Sequence, residues 1–137
     1  PATPALPEAA AARWIAAWGE AVAQSAASGW REPPPIDLMF KSQAAADAFP
    51  DGAALAPRHR RLPRSGRVEA LPGYGEGDWW VQDLAASIPA ALLGNGAGRR
   101  ALDLCAAPGG KTMQLAAAGW GVTALDISAR RAERLRG

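Results

Sequence analysis

Leu102-Asp103-Leu104-Cys105-Ala106-Ala107-Pro108-Gly109-Gly110-Lys111-Thr112, followed by Val122-Thr123-Ala124-Leu125-Asp126, decides the fold. An apolar strand runs into a turn of small residues and a helix, and an acid stands at the end of the next strand, which is the layout of a nucleotide-like cofactor pocket. The pattern predicts a strand over Ala101 to Leu104, a turn from Cys105 to Gly110, a helix from Lys111 to Ala118 stopped by Gly119, and a second strand over Val122 to Leu125. Ser128 is placed to cap a further helix running toward Arg136. This order implies an α/β fold with parallel strands joined by a right-handed crossover.

A turn between a parallel strand and its helix favours residues without bulk, and Ala106, Ala107, Gly109 and Gly110 meet that need. The amides opening the helix favour an anionic group, and Lys111 adds a positive charge beside them. Asp126 is expected to accept hydrogen bonds from vicinal ribose hydroxyls. The plain alternative, that Asp103 and Asp126 only cap turns, would be preferred for a lone acid; the pairing with a glycine-bearing turn at this spacing reverses that preference. Gly110-Lys111-Thr112 is like the tail of a triphosphate-binding loop, but that loop needs glycine where this chain has Cys105. The three-glycine fingerprint of nicotinamide sites is absent as well.

Upstream, Glu8 to Ser28 reads as one helix with Trp14, Ile15, Trp18 and Val22 on a stripe, the two tryptophans being core anchors, with Gly19 weakening its middle and Gly29 a stop. Pro33-Pro34-Pro35 is a stiff connector into a short strand over Ile36 to Lys41, where Ile36, Leu38 and Phe40 alternate with Asp37, Met39 and Lys41. Gln43 to Phe49 suits a second helix, and Leu55 to Leu71 an irregular β-containing stretch. Pro72, Gly73, Gly75 and Gly77 break regular structure between Leu71 and Asp78, marking a linker or loop and a domain boundary. Trp79 to Gln82 is strand-like, and Asp83 caps a helix through Leu93 that carries Pro89.

Hydrophobic residues at 49% and charged residues at 20% are a globular balance, so the chain is expected to fold. Its net charge of +2 is small, but Arg58, Arg60, Arg61, Arg64 and Arg67 fall within ten residues together with His59, with no acid among them. That run is a candidate for phosphate contact with RNA, with a solvated loop as the alternative. The single cysteine, Cys105, excludes an intramolecular disulfide framework and a cysteine-rich zinc site. No metal and no membrane association are expected, and a cytoplasmic setting is.

Asp103 to Thr112 resembles the cofactor motif of the Nop2/Sun (RsmB-like) RNA cytosine-5 methyltransferases. Leu71-Pro72-Gly73-Tyr74, Trp80-Val81-Gln82-Asp83 and Ser87 resemble the segment that precedes that motif in the bacterial rRNA-modifying branch. The resemblance covers about Leu71 to Arg136 and is weaker before it, where that family carries a small α+β module similar to an RNA-recognition domain. It implies two domains, a small α+β module over 1–70 that is a candidate for RNA binding, and the first part of a Rossmann-like methyltransferase domain over 71–137. It implies S-adenosylmethionine as cofactor, held by Cys105, Ala106, Ala107, Pro108, Gly109, Gly110 and Lys111 at its amino acid end and by Asp126 at its ribose, with ribosomal RNA as partner.

The family adds a cysteine thiolate to carbon 6 of cytosine, methylates the activated ring and then eliminates the enzyme. Its cysteines lie in later motifs, so no catalytic residue is assigned in this chain, Cys105 is read as a small structural residue, and the 137 residues alone are expected to be inactive. A two-stranded parallel sheet would leave apolar surface uncovered, which is expected of a segment of a longer protein. Two alternatives stand beside this reading: a catalytically silent RNA-binding module, and a methyltransferase with another acceptor.

Overall fold

The computed structural model describes residues 6–29, 33–63 and 67–135. The chain divides into two compact units, Pro1–Pro34 and Pro35–Gly137.

In the first unit the expected single helix is two. Helix α1 (Glu8–Trp18) ends at Gly19, whose φ of +84° is a conformation that glycine adopts without strain, and α2 (Glu20–Gly29) starts anew. Leu6, Ala23 and Ala27 form the small core. The expected core role of Trp14 and Trp18 is not met: Trp18 is 60% exposed, and the two rings meet edge to face with centroids 5.0 Å apart. The break at Gly19 takes Val22 off the stripe, while Trp14, Ile15 and Trp18 keep one face of α1, a helix with no buried residue, so that face packs on no further layer among the described residues.

The second unit begins with β1 (Ile36–Phe40), the centre of a three-stranded antiparallel sheet in the order β2–β1–β3. Strand β2 (His59–Leu62) pairs Asp37 with Arg61 and Met39 with His59, and β3 (Trp79–Val81) pairs Met39 with Trp80. The alternation read in β1 is present. Leu38 and Phe40 join Phe49, Leu62 and Trp79 in a core covered by α3 (Gln43–Ala48), which Ser42 caps through the amide of Ala45.

The opposite face, polar in sequence, is also buried. Asp37 is there because Arg61 donates two hydrogen bonds to its carboxylate, at 2.6 and 2.7 Å, and Leu84 N donates a third at 2.9 Å. Buried charge is tolerated when it is paired and hydrogen-bonded.

The expected boundary between Leu71 and Asp78 is spanned by this sheet, since β3 lies beyond it and pairs with β1 before it. The compact division falls at Pro34 instead. The glycine turn is held in place: Trp79 Nε1 donates to Pro72 O at 2.6 Å and Asp78 N to Gly73 O at 3.1 Å. Asp83 then caps α4 (Leu84–Ala91) through the amides of Ala85 and Ala86.

The last part follows the sequence pattern within a residue at each end. Strand β4 (Arg100–Asp103), helix α5 (Gly110–Ala117) and strand β5 (Gly121–Ala124) form a parallel pair with its crossover helix, with Asp103 opposite Ala124. Ser128 caps α6 (Ala129–Ala132) by accepting from Arg131 N, and a single tight turn, Glu133–Leu135, follows; Arg136 lies outside the described residues. Among the described residues, no helix is long and apolar enough to cross a membrane, and no group of three acids, histidines or cysteines is placed to hold a metal ion.

Candidate cofactor site

The turn between β4 and α5 is shaped by the two acids that end the parallel strands. Asp103 accepts from Cys105 N at 3.2 Å through one carboxylate oxygen and from the Thr112 hydroxyl at 2.7 Å through the other, so it ties the start of the turn to the first turn of α5. Across the strands, Ala106 N donates to Leu125 O at 3.0 Å and Ala107 N to Asp126 Oδ2 at 3.1 Å. The Ala107–Pro108 peptide is cis. Gly109 stands at the helix N-cap with no side-chain cap, leaving the opening amides of α5 available to an anionic group. Cys105, Pro108 and Lys111 are exposed, whereas Ala106, Ala107 and Gly109 are buried.

The two glycines answer to packing within the protein. Gly109 has φ +123°, and a Cβ there would run into the Leu135 side chain, with Met113 Cε 3.3 Å away. A Cβ at Gly110 would lie 3.2 Å from Gln82 Cδ. Small residues in this turn are therefore required by close approach of side chains from behind as well as suited to a ligand in front.

Asp126 differs from its expected orientation. Its side chain has no solvent exposure and is engaged by the amide of Ser128 at 2.8 Å, by the amide of Ala107 and by the Arg131 guanidinium at 2.9 Å. The Ser128 amide first, then that of Ala107 and the charge of Arg131, hold its carboxyl below the ordinary range. In this arrangement the carboxylate works as a strut of the turn, the role set aside in the sequence reading.

The arginine run is not one free cationic face, because acids distant in sequence reach it. Arg61 is committed to Asp37, and Arg60 lies 3.7 Å from Asp47 while donating to His59 O at 3.1 Å. Arg58 donates to Ala117 O at the end of α5 at 3.5 Å. Arg67, 85% exposed and 3.7 Å from Glu69, is the open member, and Arg64 lies outside the described residues. A cleft of about 540 Å³ lined by Arg58, Ala90, Asn95 and Ala117 opens at the opposite end of α5 from the cofactor turn.

The sequence assigned Gln82 no role beyond its place in the segment that resembles the bacterial branch, and it did not single out Gln114; the two meet behind the turn, with Gln82 Nε2 donating to Gln114 Oε1 at 3.1 Å. Their signal was faint: two polar residues at positions where the neighbouring pattern calls for burial.

No protein-family model matches the chain. It is 47% identical over 72 residues to "Ribosomal RNA small subunit methyltransferase B" of Pseudomonas putida, a match covering 50% of this chain and 16% of that protein. It is 36% identical over 148 residues to the protein of the same name from Xylella fastidiosa, covering 93% of this chain and 34% of the relative. The chain thus spans about a third or less of the length of these relatives. A solved structure described as a methyltransferase homolog protein from Pyrococcus horikoshii superposes with a TM-score of 0.74 at 23% identity, over 96% of this chain and 48% of that one. The fold is α/β and resembles that methyltransferase structure.

Proposed function

Given a chain homologous to the Nop2/Sun (RsmB-like) methyltransferases, with 93% of its length matched by one such relative, we propose that it is the cofactor-binding portion of an S-adenosylmethionine-dependent ribosomal RNA cytosine-5 methyltransferase. On this reading the parallel pair β4–β5 with its crossover helix begins a Rossmann-like domain, and the antiparallel sheet β2–β1–β3 before it belongs to an RNA-recognition-like module. The observation that carries the proposal is the turn itself. A parallel strand, a small-residue turn fixed by Asp103 and Asp126, and an uncapped helix N-terminus stand together in a chain 93% of which is matched by a relative named as an rRNA methyltransferase.

The residues present suit this cofactor. The opening amides of α5 and the Lys111 side chain favour the carboxylate of its amino acid end. The exposed edge of Cys105 and Pro108 offers a surface without bulk beside them. Asp126 acts by fixing Ala107, and contact with the ribose requires its carboxylate to exchange one of its internal hydrogen bonds. When bound, S-adenosylmethionine supplies an electrophilic methyl group. With Cys105 placed in the cofactor turn, the attacking thiolate comes from residues outside this chain, and the isolated 137 residues transfer no methyl group. Among the described arginines of the run, Arg67, with its side chain 85% exposed, is the one this reading assigns to RNA phosphate.

Calorimetric titration of the complete protein with S-adenosylmethionine tests the reading. Saturable binding, weakened about tenfold or more by Asp126→Ala through loss of the turn's strut, supports it. Transfer of labelled methyl to carbon 5 of a cytosine in small-subunit ribosomal RNA by the complete protein, and none by the isolated chain, supports the acceptor. RNA binding without any cofactor binding would favour a silent RNA-binding module instead.

A further inference from the structure

We propose that Gln82 is a positioning residue that holds Gly110, and with it the N-terminal end of α5, in place for the cofactor. The inference rests on the proposed function and extends it to a residue outside the turn. Gln82 follows β3 directly, and its main-chain N–H donates to Asp37 O of β1 at 3.0 Å. Its buried side chain leaves the sheet and passes under the start of α5.

The carboxamide has a fixed orientation. Oε1 accepts from Trp80 Nε1 at 2.6 Å, and Nε2 donates to Ala86 O at 3.3 Å and to Gln114 Oε1 at 3.1 Å. Gln114, also buried, is itself anchored by donating to Ser87 O at 2.9 Å. Exchanging N and O would set an N–H against the indole N–H and leave Gln114 Oε1 without its donor. One side chain thereby ties β3, α4 and α5 together.

Gly110 lies directly against this amide. A Cβ there would stand 3.2 Å from Gln82 Cδ and 3.4 Å from Cγ, closer than side chains normally allow, and Gly110, unlike Gly109, is outside the left-handed region. Its lack of a side chain is therefore a matter of space, and the space is set by Gln82. A carboxamide held by three hydrogen bonds cannot yield by a few tenths of an ångström without breaking one of them.

The test is a double-mutant cycle in the complete protein, read as the dissociation constant of S-adenosylhomocysteine. Gln82→Ala and Gly110→Ala each weaken binding about tenfold. Because Gln82→Ala vacates the space the added methyl needs, the double variant binds no worse than either single one, where independent effects would multiply to about a hundredfold. Gln82→Met, which keeps the bulk without the hydrogen bonds, weakens cofactor binding as Gln82→Ala does and leaves RNA affinity within about twofold; it also serves if Gln82→Ala does not fold. Multiplying effects, or Gln82→Met binding within twofold of wild type, would overturn the inference while leaving the cofactor site standing. Wild-type protein that binds no S-adenosylhomocysteine would overturn the proposed function and this inference together.

Discussion

The two sheets of the second unit are stabilised in different ways. The antiparallel sheet buries both faces, one through Leu38 and Phe40 against α3 and the other through the pairing of Asp37 with Arg61. The parallel pair β4–β5 leaves Leu102, Leu104, Leu125 and Ile127 exposed, yet its turn is held by Asp103 and Asp126 accepting from backbone amides, the Thr112 hydroxyl and Arg131. Hydrophobic burial shapes the first region, and local polar contacts at the strand ends shape the second. The candidate cofactor turn thus takes its form while the apolar faces beside it remain open.

Substitutions that separate the two modes would sharpen this contrast. Phe40→Ala removes a fully buried ring that meets Phe49 at 5.4 Å, and is expected to lower unfolding free energy by about 3–5 kcal/mol in a urea titration. Asp37→Asn should cost about 2 kcal/mol in the same titration, because the partly exposed Arg61 recovers some hydration when its partner loses charge.

The acid limb distinguishes that ion pair from its surroundings. The Arg61 side-chain hydrogen bonds chiefly, helped by the Leu84 amide and His59, lower the Asp37 carboxyl from 3.8 to about 2. A folded-state pKa below the unfolded one contributes stability that is complete above the unfolded value and is lost as pH falls from about 4 toward 2. Wild type should lose stability through that window by chemical denaturation, and Asp37→Asn should show a flatter profile there.

Asp103→Ala removes the link from Cys105 to Thr112. It should cost about 1 kcal/mol of stability while weakening cofactor binding in the complete protein by more than that loss alone predicts. Ile127→Ser, at a residue 98% exposed, should change the stability of the chain by less than about 0.5 kcal/mol. A large loss there would mean that the parallel pair relies on apolar burial after all, and the contrast between the sheets would fail.

Much of this was legible in the residues. The β4–α5–β5 order followed from the apolar strands and the small-residue turn, and Asp83 and Ser128 marked helix starts through local hydrogen bonds that the structure contains. The arginine run misled because a list of neighbours in sequence omits Asp37 and Asp47, which the fold brings to Arg61 and Arg60. Gln82 was hard to see for a related reason. A glutamine reveals nothing of its partners until β3, α4 and α5 converge on it.

The sequence by itself determined features that depend on local chemistry: the strand–turn–helix–strand order of the last part, the caps at Asp83 and Ser128, and a turn whose small residues and flanking acids suit a nucleotide-like cofactor. Only the tertiary structure decided which polar groups are spent inside the protein. It turned Asp126 inward onto Ala107 and Ser128, set Gln82 beneath Gly110, and paired Asp37 with Arg61. The physical reason is that a buried polar group must find its partner wherever the chain brings one, and that partner is seldom its neighbour in sequence.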